Sequence, residues 1–277
     1  MDYRELEVPE VLRRHVRCVW RLRLVGPSKE AQTIYPDGCC ELIVNLGQPM
    51  QAFSLERGWE QQARCLFAAQ QRSAIRLAAV GPVDCIGVRL RPAASAAVAR
   101  ERLPSLRDRI VDMGDLNSEL AQDLAAAARA FVSCADGAAL WQVLEARLLD
   151  YAIDGRLENA IAALEAVAGI HRIDALAEAA QMGLRTFQIR FLECVGLRPK
   201  EFARVLRLQA TLRELDRSDE GLAHVALESG FSDQAHATRE LHDVTGLTPA
   251  RLRRALRGTR DADQTIQLAA AFVRGSG

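Results

Sequence analysis

Residues 173–199 read IDALAEAAQMGLRTFQIRFLECVGLRP, and residues 222–249 read LAHVALESGFSDQAHATRELHDVTGLTP. These two segments are copies of one unit, because each closes on Gly-Leu-x-Pro and the two closing glycines lie 50 residues apart. Matches near the start of the unit, such as Leu176-Ala177 with Val225-Ala226, lie 49 residues apart. The second copy therefore carries one inserted residue, either in its turn or in the helix that follows.

The first copy has the pattern of a helix-turn-helix, two short helices joined by a tight turn. We expect helices over residues 173–180 and 184–195, because apolar residues recur there at helical spacing. Phe187 and Phe191 fall on the inner face of the second helix. Gly196 is placed to end that helix in the left-handed conformation.

The second copy predicts the same pair of helices over residues 222–228 and 233–244. Gly230 fits the turn between them, and Ser232 is the expected N-cap of the second helix. Gly246 repeats the role of the closing glycine in the first copy.

A longer helix is predicted between the two copies, and we call it the central helix. Pro199 suits its first position, and residues 202–215 continue it to about 17 residues, or about 25 Å. In a helix-turn-helix that binds DNA, the second helix is the recognition helix, which enters the major groove. The two recognition helices of this chain, held apart by such a rod, can enter successive major grooves on one face of DNA, roughly 34 Å apart.

The first part of the chain has a different hydrophobic pattern, one that is typical of β-strands. Alternating or continuous apolar runs end at turn-forming residues. They predict a β-rich domain with strands at 19–25, 39–46, 75–80 and 83–90.

Within the second of these strands, Glu41 and Ile43 fall on the face opposite to Leu42. Strands of a barrel present alternate residues inward, so Glu41, together with Cys85 and Arg89, is a candidate to line an effector pocket. The opposite parity would place these three side chains outside.

Alanine- and leucine-rich helical patterns follow at 93–100, 116–130 and 138–152. The division of the chain that we expect is a β-rich sensor domain, a helical connector that either dimerises or packs on the sensor domain, a double helix-turn-helix domain, and a tail. These four parts are expected at residues 1–112, 113–154, 155–258 and 259–277. The predicted fold class is α+β, with a barrel-like β-rich domain before an all-α domain.

Composition limits the possible functions. The chain has 277 residues, and its 36 basic residues balance 36 acidic ones, so attraction to nucleic acid must come from local patches. No membrane span or signal peptide is evident, and we expect a cytoplasmic protein. Catalytic motifs such as GxSxG, HExxH and GxGxxG are absent from the sequence, so an enzyme is not expected.

Metal and redox chemistry have weak support. The 7 cysteines include no CxxC pair, and only 5 histidines occur in the chain. We therefore expect neither a metal site nor a cofactor. Cys39 and Cys40 are adjacent on a predicted strand, where neighbouring side chains point to opposite faces and rarely bridge. Whether the cysteines sense redox state stays open.

Short sequence motifs within and between the two copies carry a family resemblance. They are Leu176-Ala177-Glu178, Arg185-Thr186-Phe187-Gln188, Phe191, Val195-Gly196-Leu197-Arg198-Pro199-Lys200-Glu201-Phe202, Arg204, Arg207-Leu208, Gly230-Phe231-Ser232-Asp233-Gln234, Thr238-Arg239 and Thr245-Gly246-Leu247-Thr248-Pro249. In these motifs, residues 158–257 resemble the DNA-binding domain of AraC/XylS-type transcription regulators. Pro36-Asp37-Gly38-Cys39 and the run from Gly87 to Pro92 resemble the sensor domains of some members.

The resemblance assigns base-reading positions to both recognition helices. They fall on Arg185, Gln188 and Ile189 in the first helix, and on Gln234, Ala235, His236, Thr238 and Arg239 in the second. Ile189 stands where the family commonly has arginine, which leaves it only apolar contact, for example with a thymine methyl. Ala237 replaces a larger apolar residue of the family, which predicts a looser second helix.

Local charge agrees with this assignment. Residues 198–213 contain five basic residues and one acidic residue. From this stretch the expected phosphate contacts are Arg198, Lys200, Arg204 and Arg207.

These observations together predict a sequence-specific transcription regulator, an activator or a repressor, with a small effector at the N-terminal domain. Its expected partner is double-stranded promoter DNA. RNA polymerase and a second copy bound through residues 113–154 are further possible partners, and no membrane is expected. The alternative is a small-molecule-binding or enzymatic β-barrel whose helical half is a scaffold that does not bind DNA.

Overall fold

The computed structural model describes residues 2–27, 31–54, 57–134 and 137–258. The tail expected at 259–277 lies outside these described residues. Ten strands occur in them: β1 (Asp2–Leu6), β2 (Val16–Leu24), β3 (Gln32–Ile34), β4 (Glu41–Asn45), β5 (Gln51–Ser54), β6 (Gly58–Gln61), β7 (Cys65–Ala68), β8 (Ile75–Ala78), β9 (Val83–Leu90) and β10 (Ile110–Asp112).

The helices of the described chain lie after β9, apart from a 3-10 turn at Glu10–Leu12. They are a 3-10 helix at Pro92–Ala97, α1 (Leu103–Leu106), α2 (Met113–Cys134), α3 (Ala138–Leu148), α4 (Gly155–Ala166), α5 (Ile173–Ala179), α6 (Leu184–Val195), α7 (Pro199–Arg217), α8 (Leu222–Glu228), α9 (Gln234–Thr245) and α10 (Pro249–Gly258). Of these, α7 is the central helix.

The strands form two antiparallel sheets. The larger sheet has the order β1-β2-β9-β4-β7-β10, and the smaller one has the order β3-β8-β5-β6. A β-rich N-terminal domain followed by a helical helix-turn-helix region confirms the predicted fold class. The sequence patterns located β2, β4, β8 and β9 but missed the other six strands.

Each face of the larger sheet has its own core. Leu42 and Val44 belong to a core that also contains Leu120 and Leu144 of the helical connector. Trp20 and Leu22 belong to a second core shared with Leu77 of the smaller sheet. Because both faces are covered, β2 and β9 are buried almost throughout.

The helices after β9 depart from prediction in three places. The pattern at 93–100 forms a short 3-10 helix, and the helix expected over 116–130 extends from Met113 to Cys134 with a break in regular geometry at Asn117. The helix expected over 138–152 ends at Leu148, because the chain must turn before Asp154 caps α4 by accepting a hydrogen bond from the backbone N–H of Arg156. None of the described helices is long and apolar enough to cross a membrane.

Candidate nucleic-acid interface

The first helix-turn-helix consists of α5 and α6. Phe187 and Phe191 are fully buried on the inner face of α6, and Gly196 ends the helix at φ 86°. Arg185, Gln188 and Ile189 lie on the opposite, exposed face. The three side chains predicted to read bases thus share one accessible surface.

The second helix-turn-helix consists of α8 and α9. Ala237 is fully buried with Phe231, so this small residue lies in the core position that Phe187 occupies in the first copy. Gln234, Ala235 and Arg239 are exposed on the outer face of α9.

The N-cap prediction for the second recognition helix was wrong by one residue. Asp233, not Ser232, caps α9, and its Oδ1 accepts a hydrogen bond of 2.7 Å from the backbone N–H of His236. That bond lowers the pKa of the Asp233 carboxyl below its usual value. The Ser232 hydroxyl instead lies 3.2 Å from the Asp233 carboxylate and 3.1 Å from the His236 ring.

Backbone geometry locates the inserted residue of the repeat. Gln181 at φ 54° and Gly230 at φ 76° hold the same left-handed place in the two turns, 49 residues apart. The N-caps Gly183 and Asp233 are 50 residues apart. The additional residue therefore lies in the turn, at Ser232, and the two recognition helices align without a gap.

Two of the predicted base-reading residues are only half-exposed. The His236 ring packs edge-on against Phe231 with 5.4 Å between ring centroids. The Thr238 hydroxyl donates a hydrogen bond of 2.8 Å to the backbone carbonyl of Gln234. Both side chains therefore already have partners within the second helix-turn-helix.

The central helix α7 joins the two units. Its 19 residues give a rod of about 28 Å. Glu201 caps its start by accepting a hydrogen bond of 2.8 Å from the backbone N–H of Arg198. Arg198 and Lys200 are exposed at this end of the rod, where a phosphate can reach them.

Arg204 and Arg207 occupy a different setting further along the rod. Both guanidinium groups lie 3.6 Å from the carboxylate of Glu240 on α9, and Arg204 also lies 3.5 Å from Asp243. The Nε2 atom of His236 approaches Glu240 to 3.4 Å from the other side. These contacts fix α9 against α7, and nothing in the sequence pattern indicated them. The phosphate-binding role of Arg204 and Arg207 stays a prediction.

The N-terminal domain also packs on the central helix, through residues 35–38, which we call the bridging segment. Tyr35 is buried in one apolar cluster with Leu208 and Leu212 of α7. The Pro36 carbonyl accepts a hydrogen bond of 2.6 Å from the Nε2 atom of Gln209. No local sequence pattern indicates this contact, because its partners are more than 160 residues apart in sequence.

On its other side the bridging segment borders a cavity of about 80 Å³ between the two sheets. The three predicted effector-pocket residues, Glu41, Cys85 and Arg89, all line this cavity. The Nε atom of Arg89 donates a hydrogen bond of 2.8 Å to Glu41 and lies 3.3 Å from the Asp37 carboxylate. The structure thus brings these side chains together, while their role in effector binding remains a prediction.

Comparison with known proteins agrees with this geometry. Residues 176–255 match the model of a helix-turn-helix domain family, and residues 4–112 match that of a domain of unknown function, DUF6597. An uncharacterized HTH-type transcriptional regulator of Haemophilus influenzae is 31% identical over 104 residues, which cover 37% of this chain and 35% of that protein. The HTH-type transcriptional activator RhaS of Escherichia fergusonii is 32% identical over 110 residues, which cover 39% and 38%.

The chain thus spans little more than a third of the length of these curated relatives. Among solved structures, the DNA-binding domain of AdpA in complex with a target DNA is similar at 29% identity and a TM-score of 0.36, and the match covers 39% of this chain and 98% of that one. ToxT from Vibrio cholerae matches over 84% of this chain and 97% of its own, at 8% identity and a TM-score of 0.46. Residues 176–255 of the chain thus form a helix-turn-helix domain of the AraC type.

Proposed function

We propose that this protein is a sequence-specific DNA-binding transcription regulator whose two recognition helices read neighbouring major grooves. The observation that carries the proposal is the pair of exposed helix faces, α6 and α9, fixed to one central helix. Arg185 and Arg239 project from these faces. Within the described chain neither guanidinium is occupied by a salt bridge or a hydrogen bond to another residue. Such groups are available for bidentate contact with guanine O6 and N7.

The two faces do not present the same chemistry. With the recognition helices aligned 50 residues apart, Arg185 corresponds to Ala235, and Ile189 corresponds to Arg239. The arginine thus lies near the start of the first helix and about one turn later in the second. We therefore propose an asymmetric DNA site for each monomer, with a different base sequence under each helix.

Phosphate contacts in this proposal come chiefly from Arg198 and Lys200, which are exposed at the start of α7. Arg204 and Arg207 act mainly by holding α9 to α7, since Glu240 already faces both of them. Removal of either phosphate-contacting residue would weaken binding on all sequences and reduce its salt dependence.

Regulation by the N-terminal domain is part of the proposal. The bridging segment touches the central helix, and three ion pairs join the N-terminal domain to the first helix-turn-helix and the helix before it. These are Arg14 with Glu158, Arg17 with Glu165, and Arg102 with Glu193. A small effector in the β-rich domain thus has a physical route to the DNA-reading surface.

Further partners follow from the same role. A regulator of promoters acts in the compartment of the chromosome, which for a bacterial-type regulator is the cytoplasm, and RNA polymerase is a candidate partner there. A second copy of the chain bound through residues 113–154 is also proposed. The buried faces of α2 and α3 are occupied by the core of the β-rich domain, so such a dimer would use their outer faces.

The test is selection of bound fragments from random DNA by the full chain, followed by affinity measurements on the selected site and its single-base variants. We expect Arg185→Ala and Arg239→Ala each to remove about 1–3 kcal/mol of discrimination at one base pair. Arg172→Ala is the matched control. Arg172 is an exposed arginine just before α5, outside both recognition helices, so its loss should lower affinity for all DNA sequences by the same factor, if it lowers affinity at all. Equal loss on every sequence for Arg185→Ala would refute direct reading, and failure to select any site would favour the scaffold alternative.

A further inference from the structure

The cavity between the two sheets is lined largely by apolar and aromatic side chains. Its walls include Trp20, Tyr35, Ile43, Met50 and Leu77. A volume of about 80 Å³ has room for about five water molecules, at roughly 15 Å³ for each. The cavity therefore suits the body of a small organic molecule rather than a single water.

One end of the cavity is charged. Glu41 and Asp37 both line it, and Arg89 is the single basic residue among its lining residues. Arg89 is almost completely buried, and its Nε faces both carboxylates, at 2.8 Å and 3.3 Å. Among the lining residues, two carboxylates thus face one guanidinium, while Arg17 interacts with Asp37 from outside the cavity.

Burial makes the charge on these two carboxylates costly. The side chains of Glu41 and Asp37 are only 14% and 16% exposed. Burial raises the pKa of the Glu41 carboxyl, and the opposing effects of Arg89 and of the hydrogen bond from Trp20 do not cancel that shift. A second cation beside the carboxylates would neutralise them in a setting where charge-assisted hydrogen bonds are strong.

The aromatic walls bear on the body of the ligand. The Nε1 atom of Trp20 donates a hydrogen bond of 3.2 Å to Glu41, so the indole and the carboxylate lie side by side. Gly87 permits this, because a Cβ at that position would lie 2.1 Å from the Trp20 ring. Trp20 and Tyr35 both line the cavity, and aromatic side chains suit an apolar or aromatic ligand body.

We propose that this cavity binds a small organic cation, a primary amine with a compact apolar or aromatic body, whose ammonium group is held by Glu41 and Asp37. The proposal rests on the regulatory role proposed above and names the chemical class of the effector. Tyr35 lines the cavity and also packs on the central helix, so a bound ligand touches a residue of the interface between the domains.

The first experiment compares three probes of similar size and different charge: benzylamine, benzyl alcohol and benzoate. Binding of each to the full chain is followed by calorimetry. We expect benzylamine to bind at least about tenfold more tightly than the alcohol, a difference of about 1.4 kcal/mol, and benzoate to bind most weakly. Tighter binding of benzoate, or no detectable binding of benzylamine, would overturn the proposal.

Two variants test the position of the ligand. Glu41→Gln removes the carboxylate with little change of shape and should lower benzylamine affinity about tenfold or more. Glu60→Gln, the same change at an exposed residue that does not line the cavity, should leave the affinity unchanged. Ile43→Phe fills the cavity without a change of charge and should also abolish binding. Unchanged binding in both cavity variants would refute the site.

A DNA-binding measurement on the same preparation keeps the two proposals separate. Binding of benzylamine that depends on Glu41, without selection of any DNA site, would overturn the proposed function and leave the ligand class in place. Selection of a DNA site, without discrimination among the three probes, would overturn only the ligand class.

Discussion

Replacement of Gly38 by alanine perturbs the bridging segment at the point where it meets the central helix. Gly38 has a φ of 80°, and a Cβ there would lie 2.9 Å from Cε2 of Phe202, which is fully buried on α7. The left-handed conformation costs an alanine about 1–2 kcal/mol, and overpacking against a buried ring adds about 1–3 kcal/mol. We expect Gly38→Ala to lower the free energy of unfolding by about 3 kcal/mol.

A matched control separates the two contributions. Gly58 has a φ of 73°, and among the described residues no atom lies within 4 Å of the position of its Cβ. Gly58→Ala therefore carries the backbone cost alone and should destabilise by about 1–2 kcal/mol, while the change in unfolded-chain entropy is common to both variants. Denaturation by urea, followed by circular dichroism, measures the two losses. Equal losses in the two variants would refute close packing between Gly38 and the central helix.

Three further predictions concern other parts of the molecule. Glu240→Gln should lower stability by about 2 kcal/mol in thermal unfolding, because its largely buried carboxylate faces the guanidinium groups of Arg204 and Arg207, and a loss below about 0.5 kcal/mol would contradict the positioning role. Asp233→Asn keeps a side chain that can cap α9 but removes the carboxyl group that titrates. Since folding lowers the pKa of Asp233, the stability that its ionised carboxylate adds is present above the unfolded pKa and is lost as pH falls through the folded pKa. The melting temperature of the Asn variant should therefore fall less than that of the parent protein below about pH 4, and an identical acid profile of the two proteins would refute this. Burial raises the pKa of Cys40 and Cys85 to about 12, so peptide mass analysis should find neither alkylated by iodoacetamide at neutral pH in the folded protein, and rapid labelling of either would contradict their burial.

The helix-turn-helix units were predictable because their signals are local. Residues 184–195 and 222–228 were predicted as helices with the bounds that the structure has, since apolar periodicity and a closing glycine act within one element. The N-cap of α9 was missed because Ser232 and Asp233 are both good capping residues. Only the backbone path of the turn decides between them.

The missed strands lack such local signals. Strands β5 and β6 of the smaller sheet have largely exposed or half-exposed side chains and no clean alternation. The buried strand β7 is a run of four residues, which periodicity cannot distinguish from a buried piece of helix. Pairing with distant strands makes these segments β-structure, and a single-sequence pattern does not contain that information.

The sequence by itself determined the repeated unit, the reading faces of its helices and the face of β4 that carries Glu41, because helical and strand periodicity assign side chains to faces without reference to the rest of the chain. Only the tertiary structure decided what those faces meet. It placed Glu41 and Asp37 around one arginine in a cavity, turned Arg204 toward Glu240, and set the bridging segment against the central helix. These contacts join residues that are far apart along the chain, and their geometry exists only once the sheets and helices have packed.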